Sequence, residues 1–330
     1  MAGVGLFAAA SSYRRDIVRR PKLQRSHAFG GTVTRLGCID QARPRPNDGS
    51  RIIAFPRPPA GFDPLAAFSA TLEHYGFPSR RGDPNSLERY RRVWARIKDR
   101  YKYVEPAFRI GRGRSHRSPK PTFSPDTNWS GGVVSPTAAQ SFCGLQAEWI
   151  IPNVYPPNQT DEFWIGSWIG LDGYSGAGIT ELLQAGVGQD VYYLGGSLHR
   201  DINAWFEWYP YDPVTITNLP ISPGDLVTVI LSTPSGKGST TATLYFANTT
   251  SGVSTSLMLL APTGVQLVGN SAEWIVEEPL FSPGLDTLPD YGEVFFSYCV
   301  AYIAAAAAST AVPVQHSTSF RMAPRYQKAG

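Results

Sequence analysis

The stretch SAEWIVEEP, Ser271 to Pro279, sets three carboxylates around a Trp-Ile-Val run. An ionised carboxylate among aromatic and branched side chains is costly to bury, so each must be paired, protonated or open to a groove. Strand alternation would put Glu273, Ile275 and Glu277 on one face and Trp274, Val276 and Glu278 on the other. AWFEWYP repeats the theme, with Trp205, Glu207 and Tyr209 on one face and Phe206 and Trp208 opposite. In ITELLQAGVG, Gln184 follows two leucines and precedes Ala-Gly. Buried carboxylates and an amide are the groups that proton transfer and oxyanion stabilisation require. Each taken singly also fits a solvent-facing strand residue or a core hydrogen bond.

Other chemistries lack their residues. The sequence has no His-Glu-x-x-His helix, no paired Cys-x-x-Cys and no Gly-x-x-x-x-Gly-Lys loop. His199 and His316 have no ligand spacing, which speaks against zinc, and no cofactor is expected. GVVSP and GGSLH lack the Gly-x-Ser-x-Gly of a nucleophile elbow.

The elements that must carry these residues are strands. From Thr127 onward, short runs such as FWIGSWIGL, DVYYLGG, INAWFEWYP and LVTVILST alternate with Gly/Pro/Asn/Asp turns, the pattern of an antiparallel β-sandwich or barrel. Val294 to Val312 is long enough to consider as a membrane span. Its Ser297, Tyr298, Tyr302, Ser309 and Thr310 favour a buried strand followed by an Ala-rich stretch. Upstream, residues 1–60 are rich in Arg, Pro and Gly and read as flexible. Residues 61–105 read as a helical pair. Asp63 can cap the first helix, whose Leu65, Phe68 and Leu72 share a face. The second helix repeats Leu87, Tyr90, Trp94, Ile97 and Tyr101 against a basic back. Residues 106–125 read as a linker and 126–330 as the β-sandwich.

Charge divides the chain at the same place. Residues 1–120 hold 25 Lys+Arg and 9 Asp+Glu, a net +16, and residues 121–330 hold 5 and 17, a net −12. The basic part can be a solvated face, dock on the acidic part or meet nucleic acid; no nucleic-acid signature accompanies it. Three cysteines exclude a disulfide-dense scaffold, although Cys143 and Cys299 could pair. The N-terminus is a poor signal peptide.

TNWSGGVV (127–134), SWIGLDG (167–173), ELLQAGV (181–187), NAWFEWYP (203–210) and SAEWIVEEP (271–279) occur in this order in one domain. The ordered set resembles the glutamic peptidases of the eqolisin (scytalidopepsin B, G1) family. The resemblance implies an all-β fold, an antiparallel sandwich of two large sheets of the concanavalin-like jelly-roll kind, with a substrate cleft on one face. It implies a catalytic dyad of Gln184 and Glu277, and cleft residues Trp129, Trp168, Asp172 and Glu207. Phe206 stands where the family's Trp-Tyr-Glu-Trp-Tyr-Pro element has Tyr, and Asn203 where a family member has Asp.

The expectation is an acid-acting, secreted, monomeric endopeptidase that hydrolyses polypeptides. Its basic N-terminal prosegment would cover the acidic domain near neutral pH and leave in acid. Membrane and nucleic acid are not expected as partners. The sequons at Asn158 and Asn248 add to the case for export. A carbohydrate-binding sandwich using Trp168, Trp205 and Trp208, or a glycoside hydrolase using Glu207 and Glu277, remain the alternatives. In QAEWIIPN, an echo of SAEWIVEE, Glu148 is expected to face solvent.

Overall fold

A computed structural model of the chain describes residues 52–78, 91–92, 94–95, 101–110, 129–137, 139–174, 181–278, 288–304, 312–314 and 320–322. All belong to one compact unit, Pro46–Gly330. The alternating runs form strands that pair into two sheets.

The rear sheet orders β1 (Ile52–Ala54), β12 (Val253–Leu260), β11 (Thr241–Asn248), β10 (Leu226–Ser232), β5 (Phe142–Ile150), β14 (Val294–Ile303) and β15 (Val312–Val314). Two short strands join it, β2 (Lys102–Tyr103) on β12 and β16 (Phe320–Met322) on β14. The front sheet orders β3 (Phe108–Ile110), β9 (Val214–Ile216), β8 (Ser197–Tyr209), β7 (Leu182–Leu194), β6 (Phe163–Leu171), β13 (Ala272–Glu277) and β4 (Trp129–Val134). The described pairings are antiparallel except that of β2 with β12. One core fills the space between the sheets, with Leu145, Ala147 and Trp149 of β5 meeting Leu183, Ala185 and Val187 of β7 and Trp274 and Val276 of β13. The architecture is the expected sandwich.

The 52–110 region is woven into this sandwich. Ile52–Ala54, read from composition as flexible, and Phe108–Ile110, read as linker, are edge strands, one on each sheet. Short strands of branched and aromatic residues there cover unpaired backbone that would otherwise invite aggregation. Between them, Asp63 Oδ1 accepts from the Leu65 N–H at 2.8 Å, but the helix α1 runs only from Ser69 to His74. Phe68 precedes it with an extended backbone and is 84% exposed, so it leaves the face expected for it, while Leu72 is buried. Arg91, Arg92, Trp94 and Ala95 are helical. Leu87, Tyr90 and Ile97 lie outside the described residues. Leu72, Phe77 and Trp94 pack with Tyr245 and Ala247 on the outer face of the rear sheet.

Several expectations meet their outcome here. Val294–Ile303 is a strand between β5 and β15; among the described residues no helix is long and apolar enough to cross a membrane. Cys143 and Cys299 are both buried and do not pair with each other. Cys299 faces the inter-sheet core and Cys143 a separate cluster with Val300 and Tyr302, so the two thiols point away from one another. Glu148 does not face solvent: it is 2% exposed and accepts from the Thr228 hydroxyl at 3.1 Å. The Asn248 amide is also buried and donates to Pro220 O and Asp225 Oδ2, so that sequon is used up by the fold. Asn158 instead holds an exposed turn.

Candidate active site

The outer face of the front sheet collects the polar residues singled out above. Alternation turns Leu183, Ala185, Phe206, Trp208, Trp274 and Val276 inward, and therefore Gln184, Glu207, Glu273 and Glu277 outward. Pairing registers arrange them in rows across the strands. One row runs Val133, Glu273, Gly170, Gln184, Glu207; the next Gly131, Ile275, Trp168, Gly186, Trp205; the third Trp129, Glu277, Gly166, Gly188, Asn203. Gln184 and Glu277 thus lie two rows apart, with Trp168 in the row between.

Glycines make room for that indole. A Cβ at Gly186 would overlap the Ser167 carbonyl and the Trp168 backbone, and one at Gly170 would lie 2.8 Å from Trp168 Cζ3. The Trp168 ring therefore lies along the sheet, its six-membered edge over the Gly170 row and its N–H toward the Glu277 row. Trp168 Nε1 donates to Glu277 Oε2 at 2.8 Å. The Trp129 ring meets it edge-on, with centroids 5.0 Å apart at 80°. Leu182, Trp205 and Ile275 complete an apolar surround. Charge-assisted hydrogen bonds of this kind strengthen in a dry setting, and they leave the carboxylate one fixed orientation.

Gln184 is anchored on its other side. Its Nε2 donates to Glu207 Oε2 at 3.1 Å, while its Oε1 is buried with no hydrogen-bond partner. Glu207 is the residue's direct cross-strand neighbour, so register alone sets this contact. The amide is held by one N–H and keeps its other N–H and its carbonyl for a ligand. Gln184 and Glu277 are both 0% exposed and Glu207 1%.

Asp172 stands just past the end of β6, where its charge bears on the Glu273 carboxyl. It has φ of +66° and is fully buried; its Oδ2 accepts from Val268 N–H at 2.7 Å and its Oδ1 from Asn270 N–H at 2.9 Å. Asp172 ties the end of β6 to the loop that leads into β13, and so sets the height of the strand carrying Glu273 and Glu277. Burial pushes its carboxyl up to about 6, against the opposing pull of those backbone N–H groups and with help from the Glu181 charge. Trp129, Trp168 and Glu207 are gathered with the pair, and Asp172 bears on the Glu273 carboxyl in the Gln184 row.

Sequence reasoning left Glu273 without a role. Burial pushes its carboxyl well above the usual range. The signal was present in the shared parity of Glu273, Ile275 and Glu277.

Comparison with known proteins agrees with the motifs. Over 188 residues the chain is 30% identical to aspergillopepsin-2 of Aspergillus niger, covering 52% of this chain and 62% of that protein. It thus spans less than two thirds of that relative. A crystal structure of scytalido-glutamic peptidase with a transition state analog inhibitor is 24% identical, with a TM-score of 0.42, covering 53% of this chain and 80% of that one. The aspergilloglutamic peptidase from Aspergillus niger is 26% identical, with a TM-score of 0.36, over 48% of this chain and 90% of the other. The model of the Peptidase A4 family matches residues 127–327, and the chain belongs to that family, the glutamic peptidases its five ordered motifs resemble.

Proposed function

We propose that the chain is a glutamic endopeptidase acting in acid, with Glu277 and Gln184 as the groups that work on water and on the scissile carbonyl. One observation carries this reading. A carboxylate and an amide on a single dry sheet face are each immobilised by a dedicated partner, Trp168 for Glu277 and Glu207 for Gln184. Hydrolysis without a covalent nucleophile needs a base for water, an acid for the leaving amine and a donor for the oxyanion. Glu277 takes the proton from water and passes it to the amine nitrogen. Gln184 directs its second N–H at the developing oxyanion, and its Oε1 accepts from the attacking water.

Acid suits the electrostatics. Asp172 and Glu273 both hold their protons more tightly than ordinary carboxyls, so lowering pH removes charge that the buried face carries at a penalty. We read the basic N-terminal region as a prosegment and the active form as secreted. Incubating the full chain across pH 2–7 checks the first point, and full activity at neutral pH without processing overturns it. The decisive experiment digests a denatured protein at pH 2–5 with the wild type, Glu277→Gln and Gln184→Ala. Undiminished digestion by Glu277→Gln would sink the assignment, and survival of Gln184→Ala would favour a two-carboxylate glycoside hydrolase instead.

A further inference from the structure

The described residues of the N-terminal region, within 52–110, are tied to both sheets. β1 and β2 pair with β12, Ile53 opposite Met258 and Lys102 opposite Val253, and the Val104 N–H donates to Ser254 O at 2.9 Å. On the other sheet β3 pairs with β9, Arg109 opposite Thr215. The residues before β3 are locked to Asn218, whose Nδ2 donates to Glu105 O at 2.6 Å and whose Oδ1 accepts from the Ala107 N–H at 2.8 Å. Between these edges, Leu72, Phe77 and Trp94 lie buried against Tyr245 and Ala247. Arg92 Nη1 donates to the Tyr298 hydroxyl at 3.2 Å, at the β14 irregularity where Tyr298 stands at φ of +51°.

Among the described residues, none of these contacts falls on the outer face of the front sheet. In that sheet β3 lies three strands from β7, which carries Gln184, and five from β13, which carries Glu277. The region is therefore not held through the catalytic pair. Nor do these anchors depend on charge that acid removes. They are rings, backbone groups, a side-chain amide and an arginine bonded to a neutral hydroxyl. Tyr103, pushed up to about 12 by burial first and then by the Glu105 charge, against the pull of Arg57, keeps its proton in acid and at neutrality. Glu148, the buried carboxylate of the rear face, takes the Thr228 hydroxyl of its own sheet. Taking the region away would bare the β12 edge and the aromatic face around Tyr245, surfaces that invite edge pairing and association.

We propose that the rear face is a lasting docking surface for 52–110: after a cut in the linker beyond Ile110 this piece stays bound, and the active enzyme is a non-covalent pair of chains. The inference rests on the prosegment reading of the N-terminal region, and it replaces departure in acid with retention. The retained piece serves the fold by closing an edge of each sheet, while hydrolysis belongs to the 126–330 domain.

The test inserts a site-specific protease sequence after Ser118 of the full chain and cuts it once folded. Retention is read in the Glu277→Gln background, which prevents self-digestion, by size-exclusion chromatography at pH 3.5 and 7 with mass spectrometry of each peak. The two pieces should co-elute at both pH values, and the cut wild type should keep its peptide-hydrolysing activity at pH 3.5 within about twofold of the uncut chain. Phe77→Ala with Trp94→Ala removes two buried rings and should weaken retention about 100-fold or more, seen as release on dilution. Separation of the N-terminal piece from a folded, soluble remainder at pH 3.5 overturns the proposal, as does a tenfold rise in activity on its release, the mark of a plug. Undiminished retention in the double variant overturns the role of the rear face. The parent chain decides retention by itself should the double variant not fold. A wild type left uncut after incubation in acid defeats the prosegment reading, and full activity in Glu277→Gln the peptidase reading; separation of the pieces after the inserted cut defeats the retention proposed here.

Discussion

The two sheets of this sandwich have outer faces of similar aromatic content and different polar content. On the rear face, Phe77 and Trp94 lie 5.3 Å apart and both rings meet Tyr245, at 5.9 and 6.0 Å. On the front face, Trp129, Trp168 and Trp205 form an equally buried cluster. The polar groups separate them. The rear face places small hydroxyls, Ser254 and Ser256, under its cover, and its Glu148 takes the Thr228 hydroxyl. The front face sets Glu207, Glu273 and Glu277 beside Gln184, all essentially inaccessible. Aromatic burial by itself marks packing; several carboxylates and an amide retained together within it, against their desolvation cost, are the feature on which the proposed site rests.

The comparison breaks first at Glu277. Glu277→Gln should lower kcat/KM by about 10³-fold or more, as expected for loss of a general base, with little change in melting temperature. Gln184→Ala should follow at about 10²–10³-fold in kcat, the effect of one oxyanion donor, read by steady-state kinetics on the same peptide. The rear face should respond in the opposite currency. Phe77→Ala is expected to cost about 3–5 kcal/mol of stability while kcat per folded molecule stays at the wild-type value; chemical denaturation and active-site titration measure the two separately. A large fall in kcat there would erase the distinction between the faces.

A smaller effect separates the faces by pH. Asp172, raised from 3.8 to about 6, keeps a proton in the folded state that the unfolded chain has already lost. Its penalty is therefore absent below about pH 4, grows between about pH 4 and 6, and is complete above. Stability from this group falls as pH rises through that window, by on the order of 1–3 kcal/mol. Urea titrations at pH 4 and 7 should show the slope in the wild type and a flatter one in Asp172→Asn. The smallest effect belongs to Glu278, of opposite parity to Glu277. Glu278→Gln should leave kcat/KM within about twofold, and a loss matching that of Glu277→Gln would show that parity does not sort the two carboxylates.

Much of the site was legible because strand parity is a local property. Glu207 and Glu277 could each be placed on a face from alternation in its own run, and the five motifs named the family and, through it, Gln184. The anchoring of Asp172 was not legible, because its partners, the Val268 and Asn270 N–H groups, lie some hundred residues downstream and leave no trace in SWIGLDG. Glu148 was misplaced for a related reason: an outward-facing strand residue is exposed only if nothing lies over its sheet. Phe68 left its expected face because the turn at Asp63 restarts the chain before α1, which periodicity alone does not register.

The sequence by itself determined the class of fold, the parity of Glu207 and Glu277 and the residue types available for hydrolysis, since these follow from a period of two and from side-chain chemistry. Tertiary structure decided which strands became neighbours. Only the insertion of β13 between β4 and β6 puts Glu277 under the Trp168 indole, and only the β6–β7 register brings a glycine between Glu273 and Gln184. Those contacts depend on long-range pairing, whose free energy is shared among many strands and written in no single one of them.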